Sequence, residues 1–279
     1  MTESPVVDCH LHVYWPDKYP YPSGPGVRPD EGEIHADPDA LLRNLAANRV
    51  THALLVQPSA HGSDNRAMID TIAMSNGRMK GIAVVDITAT KEELQELKAK
   101  GVVGIRLNLF SFANAIFESA GIDDFMARCA DLRLFVEVFV TPQTWPKVID
   151  KLRSCPAPIV IEHMGWPALD ESVGQQAFQL LLGLAERRDC TVKLSCSLRM
   201  TRKGFPFDDV EPYALRLLEV FGPDRCMWGS DWPMFRSGHD RPESYAEELE
   251  AVRRWVPDAA HLRKVLWETP SRLFSFQHG

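Results

Sequence analysis

Three histidines, an aspartate and two arginines fall at or near the ends of short apolar runs, where a rim of reactive groups would need them. The densest instance is Val6-Val7-Asp8-Cys9-His10-Leu11-His12. Side chains alternate along an extended strand, so His10 and His12 point to one side. Two imidazoles so placed share a metal ion or donate together to one substrate oxygen. A strand end with two solvated histidines is the plain alternative, and the rest of the chain decides between them. Asp231 stands in Cys226-Met227-Trp228-Gly229-Ser230-Asp231-Trp232-Pro233, where a carboxylate among apolar residues is costly to bury without a partner or a purpose. A structural salt bridge is its other reading. His163, after Ile159-Val160-Ile161-Glu162, would alone be a satisfied core residue; its match to His10 and His12 gives it weight. Arg106, in Gly104-Ile105-Arg106-Leu107-Asn108, sets a permanent charge inside a buried strand and demands an anion: a substrate, or else Asp231 or Glu137. Arg199 lies beyond its strand and is open to a solvated-loop reading. His61, in Ser59-Ala60-His61-Gly62-Ser63-Asp64-Asn65, fits a turn that caps the next helix as well as it fits a site.

What must position these residues is a regular alternation. Strand-like runs are expected at 5–13, 52–57, 79–86, 102–109, 134–140, 159–164, 191–197 and 225–230, each followed by a helical pattern. The first helix has Asp37 as N-cap and Pro38 in its first turn; the third, charged one is closed by Gly101. Continuous Val/Ile/Leu strands alternating with helices imply a parallel sheet covered on its outer face. Eight such units without a linker predict one α/β domain over residues 1–279, a distorted (β/α)8 barrel. The runner-up is an open doubly wound sheet, but no GxGxxG follows any strand. In a barrel the active site lies at the carboxyl ends of the strands, which is where His10, His12, Ser59, His61, Arg106, His163, Arg199 and Asp231 fall. The long loop from Trp15 to Pro29, rich in Pro, Gly and Tyr, is expected to work as a lid or binding loop.

Composition narrows the class. Hydrophobic residues make up 45% and charged residues 25% of the 279, an ordinary balance for a globular chain. The net charge of −7 arises from 38 acidic and 31 basic residues without a basic block, so no nucleic-acid partner is expected. The six cysteines lack CxxC spacing and read as small core hydrophobes rather than a disulfide framework. No run reaches the ~18 apolar residues of a membrane helix, and the start lacks the basic-then-apolar order of a secretory signal. A cytoplasmic protein acting on a small molecule, free to self-associate, is the expectation.

The segments Asp8-Cys9-His10-Leu11-His12, Glu162-His163-Met164-Gly165 and Trp228-Gly229-Ser230-Asp231-Trp232-Pro233 together resemble the amidohydrolase superfamily. The likeness is nearest to its branch of lactonases that open pyrone-dicarboxylates and sulfomuconolactones. It extends through Val56-Gln57-Pro58-Ser59-Ala60-His61, the Arg106 strand and Lys193-Leu194-Ser195-Cys196, and so covers nearly the whole chain. The resemblance implies Asp231 as general base on water, with His10, His12 and His163 around the lactone carbonyl. It implies Ser59, His61, Arg106 and Arg199 as substrate contacts, with Arg236 as an added cation. Three places depart from the pyrone-dicarboxylate pattern: Phe112 and Trp166 stand where arginines are expected, and Val138 where a tyrosine is.

A rearranged set of cations makes a muconolactone-type ring with one carboxylate or sulfonate at least as fitting as a dicarboxylated pyrone. The resemblance leans to a site needing no metal; otherwise a single divalent ion, Zn²⁺ above all, would sit on His10, His12, His163 and Asp231. A two-metal site is disfavoured, because strand four offers Arg106 and strand five no histidine. A sugar lactonase and a metal-dependent decarboxylase are the other enzymatic readings, and a catalytically silent ligand-binding barrel is the non-enzymatic one.

Overall fold

The computed structural model describes residues 4–23, 28–29, 36–108, 115–234 and 244–277. Eight parallel strands run in the order of the sequence: β1 (Val7–Leu11), β2 (His52–Val56), β3 (Met79–Ala83), β4 (Val102–Asn108), β5 (Phe135–Phe139), β6 (Ile159–Ile161), β7 (Cys190–Ser195) and β8 (Cys226–Gly229). Between them, on the outside, pack α1 (Pro38–Ala47), α2 (Arg66–Ala73), α3 (Lys91–Ala99), α4 (Ile122–Asp131), α5 (Trp145–Ser154), α6 (Gln176–Gly183) and α7 (Glu211–Phe221), with α8 (Ser244–Trp255) after the last strand. This is the barrel that the alternation of apolar runs and helical patterns requires.

Local chemistry sets the helix ends. Asp37 accepts the Ala40 N–H at 2.8 Å with Pro38 in the first turn, as expected. Thr90 and Glu93 form a capping box on α3, and Gly101 (φ +94°) closes it in a conformation open to glycine. Strand β6 is shorter than its apolar run suggests, because His163 (φ +51°) and Met164 (φ +54°) turn left-handed straight after it.

The barrel is distorted at one seam. Strands β1 and β8 meet through few backbone bonds: Asp231 N–H donates to the His10 carbonyl at 2.7 Å, and His12 N–H to that of Trp232 at 2.9 Å. Gly229 permits this approach, since a Cβ there would lie 2.6 Å from the His10 Cβ. Asp8 supplies the missing ties. Its Oδ1 accepts the N–H groups of His10 and Ser230, both at 3.0 Å, and its Oδ2 accepts the Tyr245 hydroxyl of α8 at 2.7 Å. Across the amino end, residues 259–274 lay Trp267 and Phe274 against Val7, Leu54 and Phe135. Among the described residues no helix is long and apolar enough to cross a membrane.

Candidate active site

The register of β1 with β2 explains how the first histidines are aimed. Asp8 pairs with Ala53 and Leu11 with Leu55, so three steps on β1 span two on β2. That extra residue is a bulge. Strict alternation would put Asp8 on the face of His10 and His12; past the bulge, Asp8 instead reaches the outer helix α8. His163 follows β6 and Asp231 follows β8, and both take positive φ, +51° and +62°. Left-handed backbone in non-glycine residues costs about 1 kcal/mol or more each and clusters where side chains must be re-aimed.

The outcome is a cage. The Nε2 atoms of His12, His10 and His163 lie 3.4, 3.6 and 3.8 Å from the same oxygen, Asp231 Oδ1. All four side chains are buried or nearly so. Each ring is held from behind. His12 Nδ1 donates to the Val56 carbonyl at 2.7 Å, His163 Nδ1 meets Ser195 Oγ at 2.9 Å, and His10 Nδ1 lies 3.3 Å from Lys193 Nζ. The other oxygen of Asp231 faces Arg199 Nη1 and Cys196 Sγ, each at 3.1 Å.

Among the described residues, acids and cations pair in and against the cage: Asp231 with Arg199, Glu162 with Arg106 and Glu137 with Lys193. Burial drives the other shifts. It pushes the His10 imidazole well below its ordinary value, with Lys193 reinforcing, and lowers His163 to about 4 despite the nearby carboxylates. Both rings are therefore neutral at pH 7. Burial alone would raise Asp231, but His163, Arg199 and His12 outweigh it and hold the carboxylate well below its usual range. The same contest leaves Glu162 low, because Arg106 wins over desolvation. The Cys196 thiol is pushed up by burial and serves as a donor, not a nucleophile.

Of the residues singled out in the sequence, His10, His12, His163, Arg199 and Asp231 come together here. The anion that Arg106 demands is neither Asp231 nor Glu137: its Nε and Nη2 each bond Glu162 at 2.7 Å, and its Nη1 bonds the Gln57 carbonyl at 3.1 Å. Ser59 takes a hydrogen bond from Asn108 at 3.0 Å beside a neighbouring cavity. His61 is buried against Tyr21 and accepts the Trp15 N–H at 3.4 Å, so it anchors the Trp15 loop. That loop is tied down further by Lys18 and Tyr19, both bonded to Asp70 of α2. Arg236 and Phe112 lie outside the described residues.

Sequence reasoning missed the groups that support the cage. Glu162 and Lys193 interrupt apolar strand runs, the signal that drew notice to Arg106. Glu248 of α8 is buried and accepts the Leu198 N–H at 2.6 Å, fixing the turn Ser197–Met200 that carries Arg199. Nothing in the one-dimensional pattern sets Glu248 apart from its exposed helical neighbours.

The donor set fits a single divalent ion. Ligand atoms of His10, His12 and Asp231 lie within 4.8 Å of one another. Their 3.4–3.6 Å Nε2–Oδ1 separations match the edge of about 3.4 Å that ~2.1 Å bonds give a tetrahedral site. His12 Nδ1 is taken up by the Val56 carbonyl, which leaves Nε2 to face Asp231 Oδ1 at 3.4 Å, on the side where an ion would sit.

Comparison with known proteins bears on the family and the fold. A family model described as Amidohydrolase matches residues 7–276. A 4-sulfomuconolactone hydrolase of Rhizobium radiobacter is 33% identical over 276 residues, covering 96% of this chain and 89% of that protein. A 2-pyrone-4,6-dicarboxylate hydrolase of Comamonas testosteroni is 30% identical over 285 residues, covering 96% and 90%. A crystal structure named a probable 2-pyrone-4,6-dicarboxylic acid hydrolase, from Acinetobacter baumannii with citric acid bound, superposes with a TM-score of 0.86 at 27% identity, covering 97% of this chain and 99% of that one. With the family model spanning all eight strands and the cage they carry, this chain belongs to the amidohydrolase family.

Proposed function

We propose that this protein hydrolyses the ring of a small lactone bearing one anionic group, of the muconolactone or pyrone kind, with Asp231 as general base on the attacking water. The observation that carries this reading is the convergence of three imidazole Nε2 atoms on Asp231 Oδ1. The relatives named for sulfomuconolactone and pyrone-dicarboxylate hydrolysis support a lactone as substrate; the single anionic group is the reading of this chain's own cations.

The chemistry follows from the contacts. A water beside Asp231 Oδ1 gives its proton to the carboxylate as its oxygen bonds the lactone carbonyl carbon. The carbonyl oxygen gains charge, and His163, neutral and with its Nδ1 held by Ser195, presents Nε2–H to it. One such donor contributes roughly 3–4 kcal/mol in a dry site. Collapse reforms the carbonyl and breaks the bond to the ring oxygen, which takes the proton stored on Asp231. Arg199, partly exposed beside Asp231 and 5.5 Å from the Trp166 ring, is positioned to pair the substrate's anionic group. His10, His12 and Asp231 would hold a divalent ion, and such an ion lowers the pKa of a bound water to about 7 and polarises the carbonyl.

Incubation with monoanionic lactones, dicarboxylated pyrones and sugar lactones tests the proposal. Product heavier than substrate by one water, fastest for the monoanionic set, is expected. Loss of carbon dioxide instead would make the protein a decarboxylase. Sugar lactones turned over fastest would move the substrate to that class. Dialysis against a chelator is expected to lower kcat, with recovery on adding Zn²⁺; full activity after chelation would show that the imidazole donors suffice.

A further inference from the structure

Beside the cage, at the carboxyl ends of β2, β3 and β4, lies a second cavity of ≈ 370 Å³. Arg106 stands between the two. It lines the cavity, yet its guanidinium is bonded to Glu162, whose Oε2 is 3.6 Å from His163 Nε2. Ser59 joins them as well, three residues past the Val56 carbonyl that fixes His12. The rest of the wall is apolar over most of its surface, from Val84, Val85, Ile87 and Ile116, with Ser63, Asn108 and Ser119 set among them.

The charges in this cavity do not favour a second carboxylate. Both oxygens of Glu162 balance Arg106, and with Gln57 they take three of its five N–H donors. It therefore offers a polar donor without an unbalanced positive charge. Among the described lining residues the other charge is Asp86, an exposed carboxylate whose Oδ1 accepts from Thr88. A carboxylate entering here would give up its hydration and meet no unbalanced cation among the described lining residues.

We propose that this cavity receives an uncharged, largely aliphatic arm of the lactone, on the side of the barrel away from Arg199. The substrate is thus charged at one end only. This inference rests on the lactonase reading and adds to it the chemistry of the second substituent.

Matched five-membered lactones test it, each with one carboxylate and a second substituent that is hydrogen, propyl or carboxymethyl. The propyl lactone is expected to exceed the hydrogen one in kcat/KM by at least tenfold, since one well-packed methylene alone is worth 10–200-fold, and the carboxymethyl lactone to fall below both. Val85→Trp, which fills the cavity, should bring the propyl-to-hydrogen ratio down toward one. Asp86→Lys should raise the carboxymethyl lactone severalfold relative to the propyl one. Turnover that favours the carboxymethyl lactone in the unaltered protein overturns the inference while leaving the lactonase reading intact. No turnover of any lactone defeats that reading instead. In that case calorimetric binding of the corresponding cyclic ethers decides the cavity separately: tighter binding of the propyl ether supports the inference, and tighter binding of the carboxymethyl ether overturns it.

Discussion

The two ends of this barrel are equally buried and chemically opposite. At the amino end, Val7, Leu54, Phe135, Trp267 and Phe274 close the interior with hydrocarbon. At the carboxyl end, the same strands and their continuations bury Glu137, Glu162, Asp231, Lys193, Arg106 and three histidines. Apolar burial stabilises by roughly 25 cal/mol per Å². Buried charge pairs recover their desolvation cost only when geometry and hydrogen bonds are good, and they add little net stability. One end holds the fold and the other spends stability to fix reactive groups.

The largest expected effect at the carboxyl end comes from Asp231→Asn, which removes the proton acceptor while keeping the shape. We expect kcat to fall by roughly 10²–10⁴-fold, with the circular dichroism spectrum unchanged; a fall of less than tenfold would remove Asp231 from the base role. The mirror experiment at the amino end is Phe274→Ala. It should cost roughly 3–5 kcal/mol in denaturant unfolding and leave kcat near that of the unaltered protein, because Phe274 touches none of the cage. Equal losses of kcat in both variants would show that the two ends are not separable.

A smaller effect sharpens the boundary at the β1–β8 seam. Tyr245→Phe leaves Asp8 Oδ2 without its hydroxyl donor and should cost roughly 1–3 kcal/mol. Its kcat should fall by more than that of Phe274→Ala, since Asp8 also holds the backbone of His10.

The smallest effect concerns pH. Burial raises Glu248 to about 8 in the fold, against an ordinary value of 4.5. The folded state therefore keeps this proton more tightly than the unfolded chain. Its contribution is complete below about pH 4.5 and is lost as pH rises toward 8. Glu248→Gln, isosteric and uncharged, should be more stable than the unaltered protein at pH 9 by roughly 1–3 kcal/mol, and the gap should close by pH 5. A gap independent of pH would show that Glu248 does not titrate with folding.

Much of this was legible without coordinates, for reasons that differ residue by residue. The eight apolar runs and the helices between them follow from periodicity, and periodicity is a local property. Asp37 as a cap and Gly101 as a stop are local too. His10, His12, His163, Arg199 and Asp231 could be assigned to one rim, because a barrel places every strand's carboxyl end there. The partner of Arg106 was not legible. Asp231, Glu137 and Glu162 are all acids near strand ends; the β4–β5 register sets Glu137 beside Arg106, and only the packing of side chains inside the barrel turns the guanidinium to Glu162, past β6. His61, too, sits in a motif that suggests substrate contact, yet packing sets it under the Trp15 loop.

By itself, then, the chain's order of residues settled which elements form and which reactive groups share an end of the barrel, because helix and strand periods and caps act over a few positions. Tertiary structure alone settled how those groups pair and aim. The β1 bulge that turns Asp8 away from His10, the left-handed turns at His163 and Asp231, and the Glu162–Arg106 match all depend on segments far apart in sequence. In a water-poor interior an angstrom of displacement separates a pair from a buried unpaired charge, and that distance is written only in the packed fold.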